Sequence, residues 1–241
     1  GSAALNIFTS TTRAAIAGGA EVTANDDVEI RAIDDTEITS FAGALAASLE
    51  GKGVGIGLDV TVLTKETEAS IDASPNAGMP TTVTAGGNVV VDADGSEDLF
   101  SLTVNLGIAG KDAPAGAGGA VVHVTDTETR ALIGRDPQAA PVAGNVIIDA
   151  QGSVAIAADS TTVDDASAGS AAVSVENSGY GASVVVLVDL DETVALVGDS
   201  ATVTALGNKA VDFRDGIHDA NGNQGTESVH GFALGATSFE D

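Results

Sequence analysis

The sequence predicts an all-β chain, a right-handed parallel β-helix (β-solenoid) built from tandem repeats of about 60 residues. Three observations predict it. A short motif, Thr-x-Ala-x-Ile/Val, recurs four times, at Thr12–Ile16, Thr67–Ile71, Thr129–Ile133 and Thr193–Val197, with spacings of 55, 62 and 64 residues. Apolar residues alternate with small or polar ones over long runs, the period of a strand rather than a helix. The apolar mass is Ala, Val, Ile and Leu, with only 3% aromatic residues, no Trp and one Tyr among 241 residues. Small and β-branched side chains suit a thin core between closely facing strands. A series of small β-sandwiches is the structural alternative, but sandwiches rarely repeat at the level of sequence and usually fill their cores with aromatic pairs.

The first motif is preceded by Ile7, Val62, Val124 or Val188 five residues upstream, and immediately by Thr11, Glu66, Glu128 or Glu192. A second anchor reads Asp27–Ala32, Asn88–Ala93 and Asn145–Ala150, with a degraded copy at Asn208–Phe213. Between the two lies Val22-Thr23-Ala24, echoed by Val83-Thr84-Ala85 and Val203-Thr204-Ala205. The longer interval in the second repeat holds Ser74–Pro80, a turn-rich insertion. Each repeat closes with a Gly-rich alternating strand. Val54, Ile56, Leu58, Val60 and Val62 form one apolar row; Ala120, Val122 and Val124, then Val184, Val186, Val188 and Leu190, form the others. These rows are expected on the core face, which puts His123 outside. Phe41–Leu49 is Ala-rich and the one stretch with helical character, although its repeat equivalents alternate like strands. Solenoid units usually run about 20–45 residues, so each repeat is expected to hold two or three coils. The repeats fall near 5–61, 62–123, 124–187 and 188–241, one solenoid segment over 1–241. Gly1-Ser2 reads as a cloning remnant and the chain as a segment excised from a much larger protein.

Charge limits the partners. Nine Lys and Arg against 35 Asp and Glu give a formal net charge of −26. Such a surface repels nucleic acid and anionic membrane faces, attracts cations and keeps a repetitive apolar chain soluble. Without cysteine there are no disulfides or thiolate metal sites, a composition compatible with bacterial export. No apolar run reaches the roughly 20 residues of a membrane-spanning helix.

These units resemble the repeats of giant bacterial exoproteins, the filamentous-haemagglutinin-like and leukotoxin-like filamentous adhesins. The resemblance rests on Ala131-Leu132-Ile133-Gly134, on Ala195–Asp199, on Val83–Ala93 and on the Gly-rich strand that follows, and it extends to about Val211. It implies a right-handed parallel β-helix, export to the cell surface, and a role in adhesion, biofilm or host contact. Its matched positions are scaffold positions, so it carries no functional residue across.

The chemistry the residues offer is sparse. Asp219, Asn221, Asn223 and Glu227 place oxygen ligands in an Asp-, Asn- and Gly-rich turn, the composition of a calcium loop, though with the wrong spacing for an EF-hand. Glu66, Glu128 and Glu192, with Asp126, Asp189 and Asp191 nearby, form an acidic row if the repeats stack in register; such charges also keep a strand face from aggregating. His123, His218 and His230 show no metal-ligand spacing. Asp34-Asp35 and Asp164-Asp165 are adjacent pairs whose side chains alternation sends to opposite faces. Arg31, Arg130, Arg135 and Arg214 are too scattered to define a polysaccharide-cleaving cleft. The expected function is therefore a non-enzymatic stalk or passenger segment of a secreted surface adhesin, extracellular or at the bacterial cell surface. Its partners are neighbouring repeats and a host or biofilm glycan or protein. A calcium- or glycan-binding module is the second expectation, and a carbohydrate-active lyase or hydrolase the third.

Overall fold

The computed structural model describes residues 1–136, 143–219 and 224–241. The described residues are strands and turns. The first coil is β1 (Ser2–Ile16), β2 (Glu21–Ala24) and β3 (Val28–Ser48); the second is β4 (Gly53–Asp72), β5 (Thr81–Ala85) and β6 (Val89–Ala109). The third is β7 (Ala115–Gly134), β8 (Val146–Ala150) and β9 (Val154–Ser174). The fourth holds β10 (Gly179–Val197), β11 (Ala201–Ala205), β12 (Val211–His218), β13 (Gln224–Val229) and β14 (Phe232–Glu240). Corresponding strands pair in parallel into three ladders, β1-β4-β7-β10, β2-β5-β8-β11 and β3-β6-β9-β14. This is a parallel β-helix.

Each repeat is one coil, not two or three. Two of its three strands run about twenty residues, so a single turn absorbs the whole period. In the first ladder Thr12 pairs with Thr67, Thr67 with Thr129 and Thr193 with Thr129. The spacing of the Thr motif is therefore the ladder register itself. Phe41–Leu49 forms no helical turn: Phe41–Ser48 continues β3, beside its counterpart in β6.

The coil has two parts. Where the three ladders meet, a prism encloses the main apolar core. Ile71 stacks on Ile133, Val83 on Ile148, and Val91 on Ile156, with Ala69, Ala85 and Ala93 one step behind. The repeated Ala fits because three walls converge there and leave no volume for a larger side chain.

This geometry corrects one anchor assignment. Asn145–Ala150 resembles Asn88–Ala93, but Val146–Ala150 pairs with Thr81–Ala85, on the short wall. The partner of Val89–Ala93 is Val154–Ala158, and Phe232–Ala236 follows it in the fourth coil. Two walls of one prism impose the same apolar-x-apolar-x-Ala pattern, so sequence likeness alone confuses them. Asn208–Phe213 is not a degraded copy either. It leads into the antiparallel β12–β13 hairpin, an insertion lying against the β3-β6-β9 ladder.

Beyond the prism, the long ends of β1, β4, β7 and β10 lie back to back with those of β3, β6 and β9, forming a two-sheet fin. Here the expected facing is inverted. Val54, Ile56 and Leu58 are 51%, 57% and 39% exposed, while Gly53, Gly55, Gly57, Asp59 and Thr61 point inward. Val184, Val186, Val188 and Leu190 also face out. The reason is volume. A Cβ on Gly55 would stand 2.6 Å from the Leu106 carbonyl oxygen of the facing sheet. At the level of Gly53, Gly55 and Gly57 the sheets leave no room for a larger side chain, so the bulky Val54 and Ile56 take the outer row; nearer the prism Ile38, Leu63, Leu99 and Val121 are buried inside.

The two apolar rows should differ in their effect on stability. Ile148→Ala, at a fully buried prism position, is expected to cost about 2–5 kcal/mol in urea unfolding. Ile56→Ala on the outer fin should change stability by about 0.5 kcal/mol or less. Equal losses at the two sites would contradict the inverted facing.

Candidate functional site

Inward alternation brings polar residues together inside the fin. His123 is buried rather than outward. Its Nδ1 lies 2.5 Å from Asp164 Oδ1 and its Nε2 2.6 Å from Ser101 Oγ. The three residues come from β7, β9 and β6, so the bridge ties both sheets across three strands. The connectivity is that of a serine–histidine–carboxylate relay. Ser101 and His123 are each 1% exposed, which leaves the hydroxyl no path to a substrate. Here the arrangement satisfies polar groups that the narrow interior must bury.

Asp164 turns inward and Asp165 outward, and Asp34 and Asp35 divide in the same way. Asp34 meets Lys65, whose Nζ lies 2.9 Å from Asp34 Oδ1 and 2.8 Å from Glu97 Oε1. The ammonium also donates to the carbonyls of Asp34 and Ser96, each at 2.9 Å. Asp34 further accepts from Ser10 at 3.0 Å and Thr12 at 2.5 Å, and Glu97 from Thr162 at 3.1 Å. Burial pushes the Asp34 carboxyl up, but hydrogen bonds from Thr12 and Lys65 outweigh it and hold the group at about 2. For Glu97 burial wins over the attraction of Lys65, and its carboxyl is raised.

The acidic row exists. Glu66 and Glu192 both pair with Glu128, on the outer face of the first ladder. Burial raises the Glu128 carboxyl, and the neighbouring Glu192 and Glu66 add to the rise against Arg130. Arg130 reaches Glu128, Glu192 Oε1 at 3.1 Å and Asp136 Oδ2 at 3.0 Å. Asp189 and Asp191 turn the other way and accept hydrogen bonds from Thr125 and Thr127.

An open cleft with mixed chemistry lies under the β12–β13 hairpin. It is a cavity of about 290 Å³ lined by Arg31, Val90, Asp92, Phe213, Arg214 and Thr226, among others. Arg214 anchors the hairpin, 2.8 Å from Asp94 Oδ2, 2.8 Å from Asp159 Oδ2 and 3.2 Å from Asp92 Oδ1. Asp159 also faces His218 Nε2 at 3.2 Å. Burial raises the Asp92 carboxyl against the pull of Arg214 and Arg31. Lys209 pins the hairpin's approach to the first coil, 2.9 Å from Asp26 and 2.7 Å from Asp27.

Of the expected calcium ligands, Asp219 stands exposed just past the end of β12, and Glu227 lies exposed within β13, paired with Phe213. Gln224, the ladder partner of His218 at the hairpin end, is three residues from Glu227, roughly 10 Å along a strand. Asn221 and Asn223 lie outside the described residues. His230 Nδ1 sits 2.9 Å from the Gly207 carbonyl oxygen, at the turn into β14. Among the described residues no three His, Asp or Glu side chains are grouped to hold a metal ion. Sequence reasoning missed Lys65, Glu97 and Ser101. The signal was present: polar residues at the phase opposite the bulky row.

The chain matches no family model, no curated protein and no solved structure.

Lys65 should prove central to the fin. Lys65→Met leaves Glu97 buried beside no cation and is expected to cost about 3–5 kcal/mol in urea unfolding at neutral pH. The lowered Asp34 carboxyl contributes stability that is present above its unfolded value near 4 and is lost as pH falls toward 2. After solvent screening this is about 1 kcal/mol. Thr12→Val should shrink that acid-side loss, as read by urea midpoints between pH 4.5 and 2.

Proposed function

We propose that this chain is a structural stalk or passenger segment of a large secreted bacterial surface adhesin, extracellular or held at the cell surface, and that it works without catalysis. One observation carries the reading. Three ladders continue from coil to coil in parallel register, each coil using its neighbours as the other half of its core. A fold of this kind extends by repetition, and its natural partners are further repeats. The relay inside the fin lacks access, and the acidic row is a surface ladder. The resemblance of the repeats to filamentous adhesins supports the same reading.

Axial growth is the test. Adding a repeat in tandem should lengthen the particle by about 4.8 Å, the spacing of neighbouring strands, at constant cross-section. Electron micrographs of chains with two and four times the number of repeats should show rods in that proportion. Compact particles of constant outline would overturn the proposal.

The hairpin cleft favours a second reading, a glycan- or calcium-binding module. An aromatic ring, two guanidinium groups and two carboxylates, Asp92 and Asp212, around one cavity suit a sugar's apolar face and its hydroxyl or carboxylate groups. Calorimetry with calcium, and separately with neutral and uronic-acid oligosaccharides, tests it. Heat that disappears in Arg214→Ala is expected; absence of heat with every probe removes the reading.

A further inference from the structure

The outer faces of the fin form matched apolar bands. On the first ladder, three successive rows run unbroken across four strands. They are Ala3, Leu58, Ala120 and Val184; Leu5, Val60, Val122 and Val186; and Ile7, Val62, Val124 and Val188. Two rows beyond Ile7, the surface changes to Thr11, Glu66, Glu128 and Glu192. On the opposite sheet the outer row of β6 reads Phe100, Leu102, Val104, Leu106 and Ile108, beside Phe41 and Leu45 of β3 and beside Ala171 and Val173 of β9, whose Asp165 and Ser167 make that strand polar next to Phe100 and Leu102. It is bounded by Glu37 and Asp98, which pair with each other.

The two bands lie at the same height. Gly55 opposes the Leu106 carbonyl, and Lys65 reaches the Ser96 carbonyl. That stagger sets Val54–Val62 behind the stretch from Phe100 to Ile108. Along β4 and β6 each band spans nine residues, about 26 Å at ~3.3 Å per residue, with Gly116 and Gly118 of β7 beside Val54 and Ile56. The hydrocarbon layer of a bilayer is about 30 Å thick, and the apolar belt of membrane β-proteins about 25 Å. Both ends of the bands are polar: the acidic rows on one side, and the tip turns with Glu50, Lys52, Lys111 and Glu176 on the other. Phe100 stands at the acidic boundary and Tyr180 near the tip, where amphipathic rings favour an interface.

We propose that the fin inserts into the hydrocarbon layer of a lipid bilayer, with the prism remaining in water. Small and polar side chains fill the inside and apolar ones the outside, the pattern a lipid-facing β-structure requires. The backbones of β4, β6 and β7 are paired on both sides; in the fin, β1, β3, β9 and β10 are edges whose backbone groups need neighbouring coils of a longer array to pair them. A second copy of the chain fits the bands less well. The larger face measures about 19 Å by 26 Å for four strands at ~4.8 Å spacing. That is roughly 500 Å², short of the ~800 Å² per partner of a stable interface, and a dimer would leave the opposite band in water. The inference goes beyond the stalk reading and rests on it only for the further coils that pair the edge strands.

The chain has no cysteine, so single cysteines can carry an environment-sensitive nitrobenzoxadiazole label. Ile56→Cys, Val104→Cys and Val186→Cys probe the bands; Glu21→Cys and Asp149→Cys, exposed on the prism, serve as aqueous controls. Uncharged phosphatidylcholine vesicles are the probe, at high salt so that the net charge of −26 has little influence. The native chain should float with the vesicles. Labels on the bands should shift to the blue and be quenched several-fold by nitroxide lipids, and the controls should not. Ile56→Asp with Val104→Asp, both at exposed positions, should keep the β-sheet circular dichroism and lose flotation. Failure to float overturns the proposal, as does equal quenching at the controls. A blue shift without vesicles in a particle of doubled mass overturns it in favour of a second copy.

Discussion

Everything in this fold depends on the parallel register between coils. Strand alternation assigns each side chain to the inside or the outside, and a one-residue slip would exchange the two throughout a coil. The prism holds the register. Ile71 on Ile133 and Val91 on Ile156 bury apolar surface only when the ladders align. Once aligned there, the same strands run on into the fin, where apolar burial dictates the facing only near the prism, at Ile38, Leu63 and Leu99. The fin inherits its inside from the prism.

That inheritance explains the unusual interior. Glycines and short polar side chains let two long sheets approach closely, and the polar groups so enclosed must find partners among themselves. Lys65 serves two carboxylates and two carbonyls, and His123 spans from Ser101 to Asp164. Each cluster joins strands from different coils. Hydrogen bonds and ion pairs thus do inside the fin what Ile, Val and Ala do inside the prism, with a stricter demand on geometry.

The sequence makes the period of this structure legible but not its phase. The spacing of the Thr motif is the ladder register, and the splitting of Asp34 from Asp35 and of Asp164 from Asp165 follows from alternation alone. Which row faces inward does not follow, because hydrophobicity and volume give opposite answers at Val54–Val62. Volume prevails, since Gly55 and Leu106 leave no room for a branched side chain. Asn145–Ala150 was unreadable for a related reason: two walls of one prism ask for the same residues. The tail after Val211 does break the repeat, and the residues that build its cleft, Arg31, Asp92 and Arg214, lie too far apart in the chain to be joined by any motif.

The register also sets how such a chain can come together. Neighbours in the ladders are separated by about one coil in sequence; Gly53, for example, pairs with Ala115. The first contact between two coils must therefore close a loop of that length before any ladder bond compensates for the lost chain entropy. Later coils meet a finished edge and need only lie down on it. Folding of this kind starts slowly and then propagates from coil to coil, so a chain with more coils adds little to the first, slow step.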